Sequence, residues 1–317
     1  MPDSEPLVSV FLPTYNHENY VEESIESALQ QEYENLEIVI GDDCSTDSTW
    51  DIVSRYAAEY PETITAFRNE ENLGITGNCN EVLRRCSGKY VVFHSGDDIL
   101  RPGKIRSQVE VLESDPDCAL CYHDVEVFDS ENGETKFYWN SGPEGTPPVE
   151  GDTGTLAEQL VIKGTSFLSA QSIMVRREAI PADGYDERVP IASDWLMWIE
   201  TCATTDGTVR YIDRPMARYR KHSESITESV QHDIDKFVTL AIVESRYPEL
   251  CDAVRHRRGY MYYRRAVSDI LANENERGRH NLLNSVRYSV YSWKWIGWWV
   301  YSWLNQVGLG PTNESNQ

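Results

Sequence analysis

The chain has 317 residues, enough for one large or two modest domains with a real core, and its composition is that of a globular protein. A formal charge of −23 and a pI near 4.6 argue against a general nucleic-acid binder, because phosphate backbones need a cationic face. The same acid-rich surface suits a protein kept soluble in high salt, where screening tolerates self-repulsion, and it points to a halophile.

In chain order, Leu7 to Leu12 is a β-rich run closed by Pro13-Thr14-Tyr15-Asn16, and Tyr20, Val21, Ile25, Ala28 and Leu29 follow at helical spacing. Leu36 to Ile40 repeats the strand signal and ends in Gly41-Asp42-Asp43-Cys44-Ser45-Thr46-Asp47. A second amphipathic helix through Trp50, Ile52, Val53, Tyr56 and Ala57 comes next, capped by the Ser45, Thr46 and Asp47 cluster. Ile64 to Phe67 reads as a short strand, Asn72 to Gly77 as a loop and Asn78 to Cys86 as a helix. Tyr90-Val91-Val92-Phe93 is a buried central strand that runs through Ser95-Gly96 into Asp97 and Asp98. This βαβαβαβ alternation predicts a mostly parallel, right-handed sheet with Tyr15, Asp43 and Asp98 at one carboxyl edge. That edge is where open α/β sheets bind ligands.

Two adjacent carboxylates repel unless a proton or a cation intervenes, and a divalent metal with hard oxygen ligands is the natural partner. The bland alternative is that Asp97 and Asp98 cap the helix starting near Pro102, and as an edge carboxylate Asp98 is expected to contribute little to the core. Further on, Ile105, Val109 and Leu112 mark a helix, Ala119 to Phe128 a strand, and residues 129 to 155 a long surface loop. Cys118 and Cys121 have zinc-like spacing but fall inside that strand, with no second pair to complete four ligands, so packing is favoured. Ser172 to Arg176 is a short strand, and Asp194 stands in the first turn of a helix opening near Ile191. Tyr211 to Tyr219 contains a last strand, followed by Arg220-Lys221-His222, either a solvated basic edge or a clamp for an anionic leaving group.

The carboxyl third differs in kind. From Val254 to Leu304 there are nine Arg or Lys against three acids, a net +6 that leaves −29 on the remainder. Helices are predicted at about 232 to 246, 252 to 273 and 280 to 304, which gives domains at 1–225 and 226–317. Five of the nine tryptophans lie between Trp293 and Trp303. Tyr288 to Leu304 would span about 25 Å as a helix, short for a bilayer and interrupted by Lys294 and three serines, so no ordinary transmembrane helix is predicted. Trp and Tyr prefer the headgroup level, which predicts an interfacial helix on an anionic membrane surface; packing on protein, including a second copy in an oligomer, is the alternative. Seven cysteines in a chain this long, without a charged-then-apolar leader at Met1-Pro2-Asp3, look reduced and cytoplasmic, peripheral at the inner membrane face.

Val10 to Asn16, Gly41 to Asp47, Asn72-Leu73-Gly74, Gly88-Lys89-Tyr90 and Ser95 to Asp98 resemble, in order and spacing, the family 2 inverting glycosyltransferases of the GT-A fold, and among them haloarchaeal-type glycan-assembly enzymes. The match covers roughly residues 7 to 225. The resemblance implies a GT-A domain with a C-terminal helical appendage. It implies that Pro13 and Tyr15 line the nucleotide, with Tyr15 against the nucleobase, and that Asp43 accepts a hydrogen bond from that base. Asp97 would lie on the ribose side, Asp98 would hold Mg²⁺ or Mn²⁺ at the diphosphate, Asp194 would be the catalytic base, and Arg220 and His222 would stand near the diphosphate. A UDP-sugar is the favoured donor and a polyprenyl-lipid-linked glycan the expected acceptor, in glycoprotein or surface polysaccharide assembly. Two departures stand out: Asp-Asp-Cys-Ser replaces the commoner Asp-Asp-Gly-Ser, and the Arg often found after Asn-Leu-Gly is absent, with Asn78 and Asn80 nearby.

The residue types suit the chemistry, since an acceptor hydroxyl needs a positioned carboxylate to take its proton and a departing diphosphate needs its charge stabilised. A polyprenyl-phosphate acceptor, already ionised, would leave Asp194 no proton to remove. A nucleotide-sugar-binding scaffold without turnover is a further alternative. A dinucleotide-dependent dehydrogenase is disfavoured because no Gly-x-Gly-x-x-Gly follows the first strand, and a nucleotidyltransferase because Pro-Thr-Tyr-Asn stands where a Gly-rich, Lys-bearing loop belongs.

Overall fold

The computed structural model describes residues 5–222, 230–288 and 293–306. The chain divides into two compact units, Met1–Thr239 and Leu240–Gln317. The predicted boundary at 225 lies outside the described residues.

The first unit is built on one sheet. Strand β1 (Val8–Thr14) is followed by α1 (Val21–Leu29), β2 (Leu36–Asp42), α2 (Thr49–Glu59), β3 (Ile64–Arg68), α3 (Gly74–Leu83) and β4 (Tyr90–Phe93). Then come β5 (Ile99–Leu100), α4 (Lys104–Ser114), β6 (Cys118–Asp129), β7 (Thr135–Tyr138), β8 (Gly151–Asp152) and α5 (Thr153–Lys163). Strand β9 (Met174–Arg176), α6 (Ser193–Thr204) and β10 (Thr208–Lys221) complete the unit, save for the first residues of α7 (Val230–Arg246). The strand order is β3-β2-β1-β4-β9-β6-β10-β5, with β7 beside β6 and β8 beside β10.

Strands β1 to β4 are parallel, as the alternation predicts, because each returns through a crossover helix. Beyond β4 the sheet is mixed: β9 pairs antiparallel with both β4 and β6, while β10 runs parallel to β6. Val8, Val10, Leu12, Ile38, Ile40, Tyr90 and Val92 form the core with Val21, Ile25, Ile105 and Leu112 from the covering helices. Each fully buried Val, Leu or Ile is worth about 1.5–3 kcal/mol relative to exposure.

The stretch from 129 to 155 is more ordered than the sequence suggests. Asn132-Gly133, with Gly133 at φ 73, turns β6 back into β7, a hairpin signal hidden in a polar run. Helix α5 starts where Asp152 accepts the Thr155 N–H at 2.7 Å, and it buries Leu156, Ala157, Leu160 and Val161.

In the second unit the expected helix at 280 to 304 is two helices, α9 (Asn275–Tyr288) and α10 (Trp293–Gln306), following α8 (Cys251–Leu271). Ala266, Ile270 and Leu282 are buried beneath Tyr263, Trp298 and Tyr301, and the Trp298 Nε1–H donates to Tyr263 Oη at 3.0 Å. Trp299, Val300 and Trp303 remain exposed on the other side of α10. No helix among the described residues is long and apolar enough to cross a membrane.

Candidate active site

Register brings the strand ends together. Thr14 lies opposite Asp42, the Asp43 N–H donates to Thr14 O at 3.0 Å, and the Gly96 N–H donates to Pro13 O at 3.2 Å. Glycine is required at 96 because a Cβ would collide with Thr14 and approach His17 Nδ1 to 2.8 Å. The loop after β1 is fastened to the loop after β2 by side chains that accept backbone N–H groups. Ser45 Oγ takes that of Asn16 (2.9 Å), Thr49 Oγ1 that of His17 (2.7 Å), and Asp47 Oδ2 that of Glu18 (3.1 Å). In return Asn16 Oδ1 accepts the Thr46 N–H at 2.8 Å. The expected cap of α2 is thus reduced to Asp47, which takes the Thr49 N–H at 3.0 Å, since the N-cap itself is Ser48 and makes no side-chain cap bond, while Ser45 serves the first loop.

Pro13 and Tyr15 flank the end of β1, and Tyr15 presents its ring to solvent at 41% exposure. Asp43 is buried, and its Oδ1 accepts both Asn69 Nδ2–H (2.9 Å) and the Leu73 N–H (2.8 Å). Asn69 escaped the sequence reading; its only signal is its place just past the third strand. Cys44 adopts φ 59, the left-handed region, which explains why glycine is commoner there. Asn78 and Asn80 are structural: Asn78 Nδ2 donates to Gly41 O at 2.9 Å, and Asn80 forms a two-way bridge with the Tyr185 backbone.

Asp97 and Asp98 behave oppositely. Burial opposes ionisation of Asp97, but the hydrogen bond from His222 Nε2 at 3.1 Å, the charge of His17 and the Ser95 hydroxyl hold its carboxyl well below the usual range. Asp98 is 2% exposed, not the free edge carboxylate the sequence suggests, because the chain turns it back under β10, where its Oδ1 accepts the Arg220 N–H at 2.9 Å. Burial, and then the Asp97 charge, raise its carboxyl well above the ordinary range.

Arg220 is not an open clamp either. Its guanidinium is buried between Tyr20 and Phe128, donates to Asp97 O at 2.8 Å and pairs with Glu23 at 2.5 Å. Glu23, His17 and Tyr20 all precede or open α1, and nothing in residue type alone marks them.

Asp194 lies one turn before Trp198 on the same face of α6, and Trp198 packs edge-on against Phe93 at 4.7 Å. The face carrying Asp194 is therefore turned toward the end of β4. Asp194 and Asp43 both act electrostatically on the buried Cys79 thiol, whose pKa is raised first by burial and then by these two charges. Loss of water on burial raises the Asp194 carboxyl, offset in part by the Trp195 N–H at 2.7 Å. Helix α5, absent from the sequence reading, braces α6 through Leu160 O, which accepts Trp195 Nε1–H at 2.7 Å.

The donor set fits a divalent cation that arrives with its phosphates. Among the described residues no group of three or more His, Cys, Asp or Glu is poised to cage a metal. One buried carboxylate disfavoured as a lone anion, beside a second that is ionised, is a hard-oxygen set of the type Mg²⁺ or Mn²⁺ takes.

A family model described as Glycosyl transferase family 2 matches residues 9–182, more than half of the chain. An uncharacterized protein of Mycobacterium tuberculosis is 28% identical over 232 residues, which cover 73% of this chain but only 63% of the relative. The Bacillus subtilis protein that carries the name of a teichuronic acid biosynthesis glycosyltransferase is 38% identical over 122 residues, 38% of this chain and 48% of its own length. Among solved structures, Staphylococcus aureus TarS with UDP-GlcNAc has a TM-score of 0.56 at 18% identity and covers 96% of this chain and 82% of that one. The Pyrobaculum calidifontis mannosyltransferase with GDP-Man and Mn²⁺ has a TM-score of 0.59 at 18% identity over 97% and 88%. These likenesses establish the GT-A architecture with its helical appendage.

Proposed function

The chain belongs to glycosyl transferase family 2, and on that premise we propose that it moves a sugar from a nucleotide-diphosphate sugar, UDP-linked by preference, to a glycan hydroxyl with inversion at the anomeric carbon. The observation that carries the reading is the opposed pair at the strand end: Asp97 held ionised by His222 and Ser95, and Asp98 buried beside it. Such a pair at the carboxyl edge of an α/β sheet suits a diphosphate and its cation. The neighbours solved with UDP-GlcNAc and with GDP-Man and Mn²⁺ share the fold and support this ligand class.

In this mechanism Tyr15, beside Pro13, covers the nucleobase and Asp43 accepts from it through Oδ2, since Oδ1 is already engaged. Both oxygens of Asp97 have protein partners, so a ribose contact there shares them. Asp98 would hold Mg²⁺ or Mn²⁺, whose charge eases departure of the diphosphate. Asp194 takes the acceptor hydroxyl proton as that oxygen attacks the anomeric carbon; the bond to the diphosphate breaks on the opposite face, which inverts the centre. His222 keeps Asp97 ionised, and Arg220 ties the end of β10 to both acidic residues.

We also read the exposed Trp299, Val300 and Trp303, on a segment with a net +6, as an interfacial face on an anionic leaflet. That position, peripheral on the cytoplasmic side, suits a polyprenyl-lipid-linked acceptor, and the −23 formal charge supports a halophilic setting.

Thermal shifts with UDP, GDP and their sugars, each with and without Mn²⁺, test the donor reading through ligand-linked stabilisation. The expected result is a shift with UDP-sugars that requires the metal; no shift with any nucleotide overturns it. Trp299→Ser with Trp303→Ser should release the protein from anionic liposomes while sparing the donor shift. If the unaltered protein fails to sediment with such liposomes at low and high salt alike, the membrane reading is wrong.

A further inference from the structure

Helix α6 begins without a cap of its own. Its N-cap position is Ala192, which has no side chain able to accept a hydrogen bond, and it follows Ile191 at the end of a loop. A helix start leaves its first N–H groups without intrahelical partners, and their satisfaction fixes the angle at which the first turn enters. Here Asp235 of α7, 43 residues further along the chain than Ala192, takes the N–H groups at the N-cap and just before it, while Asp194 itself takes that of Trp195 in the first turn. Asp235 Oδ2 receives the Ile191 N–H at 2.8 Å and the Ala192 N–H at 3.0 Å, and its Oδ1 receives Gln231 Nε2–H at 2.7 Å. The carboxylate is fully buried.

The same loop is held from the other side by α3. Thr76 Oγ1 lies 2.8 Å from both Val189 O and Ser193 Oγ. The residue between the two grips and the first full turn is Asp194. Loosening Asp235 therefore frees the backbone two and three residues before Asp194 while α3 still holds the loop at Val189 and Ser193. We propose that Asp235 is a positioning residue for the transfer reaction: from α7 it anchors the backbone that leads into the helix carrying Asp194 and fixes where that carboxylate meets the acceptor. This rests on the assignment of Asp194 as the base.

The role is one of placement. It predicts a loss in turnover without a matching loss in donor affinity, since Tyr15, Asp43 and Asp98 reside on other elements. A displacement of about 1 Å at a reacting group can lower a rate by about 100-fold. An amide keeps an oxygen for the two N–H groups while Gln231 turns its own oxygen toward the new NH₂, so Asn should rescue what Ala loses.

The test uses the full chain and whichever of UDP-glucose, UDP-N-acetylglucosamine and GDP-mannose stabilises it most, with octyl glycosides as acceptors and nucleoside diphosphate release as the readout. Asp235→Ala should lower kcat about 10- to 100-fold with donor Kd within about twofold of the unaltered protein. Asp235→Asn should recover most of that loss, and Asp194→Asn combined with Asp235→Ala should be no slower than Asp194→Asn alone. Gln231→Ala, at an exposed position, loosens the carboxylate without opening a buried hole; it should lower kcat by about two- to fivefold at constant donor Kd, and it stands in should Asp235→Ala fail to fold. Unchanged kcat in Gln231→Ala and Asp235→Ala, a loss confined to donor affinity, or a loss that multiplies onto that of Asp194→Asn overturns the proposal. Full turnover in Asp194→Asn overturns the base assignment instead, and the two failures are thereby distinguished.

Discussion

Lys104 opens α4 with its entire side chain inside the protein, and Nζ donates to Gln108 Oε1 at 2.6 Å. Gln108 is committed on its other side, where Nε2 donates to Ser172 O at 2.8 Å. Burial lowers the Lys104 ammonium from 10.5 to about 7. At about 1.36 kcal/mol per pKa unit, that displacement makes the charged form roughly 4–5 kcal/mol less favourable in the folded state, most of it still present at pH 7. Lys104→Met keeps the shape and removes this penalty, but leaves Gln108 Oε1 without its donor, which costs about 1–3 kcal/mol. The expected net effect at pH 7 is a stabilisation of about 1–3 kcal/mol, measured by urea unfolding. Because the folded pKa is depressed, the unaltered protein gains stability as pH rises from about 7 toward the unfolded value of 10.5. The advantage of the variant should therefore be largest near pH 7 and close toward pH 10. A destabilised variant, or a difference constant over that range, would refute the reasoning.

Asp194→Asn should keep donor affinity and lower turnover by about 10²- to 10⁴-fold, read from kcat and from calorimetric donor binding; equal loss of binding would make Asp194 structural. Because loss of water on burial raises the Asp194 carboxyl, the acid limb of kcat against pH should fall at a pH above the ordinary carboxylate range, and that limb should vanish in Asp194→Asn. Asp98→Asn should abolish metal-dependent nucleotide binding and turnover yet fold, since an amide oxygen still accepts the Arg220 N–H; activity indifferent to a metal titration would sink the assignment. Cys44→Gly should stabilise the protein by about 0.5–1 kcal/mol by relieving a left-handed backbone, seen as a raised Tm with donor binding unchanged.

The parts of the fold written in periodicity were legible in the sequence. Strands β1, β2, β4 and β6 and helices α1, α2 and α4 lie within a few residues of where alternation and helical spacing put them. Helix α5 carries its signal in Leu156, Ala157, Leu160 and Val161 behind an Asp152 cap, but the preceding Gly- and Pro-rich run masked it. The antiparallel β9 could not be read, because three residues hold no direction and only the partners decide it. In the site, strand-end position offered Asp43 and Asp98 and only the family resemblance offered Asp194 as a base, whereas the engagement of Arg220 by Glu23 and the burial of Asp98 depend on contacts across more than 100 residues. Cys44 was visible as an unusual residue, but its reason is a torsion angle.

The fastening between residues 16–18 and 45–49 has a consequence for how the protein could change its substrate. Its bonds meet backbone N–H groups of the first loop or use the side chains of Asn16 and Glu18, and none uses the side chain of Tyr15. The scaffold is thus indifferent to what position 15 displays. On the proposed reading of Tyr15 as the cover of the nucleobase, evolution, or a library at that single codon, can vary the surface offered to an incoming ring while the loop keeps its path, so nucleobase preference can drift without a stability threshold standing in the way.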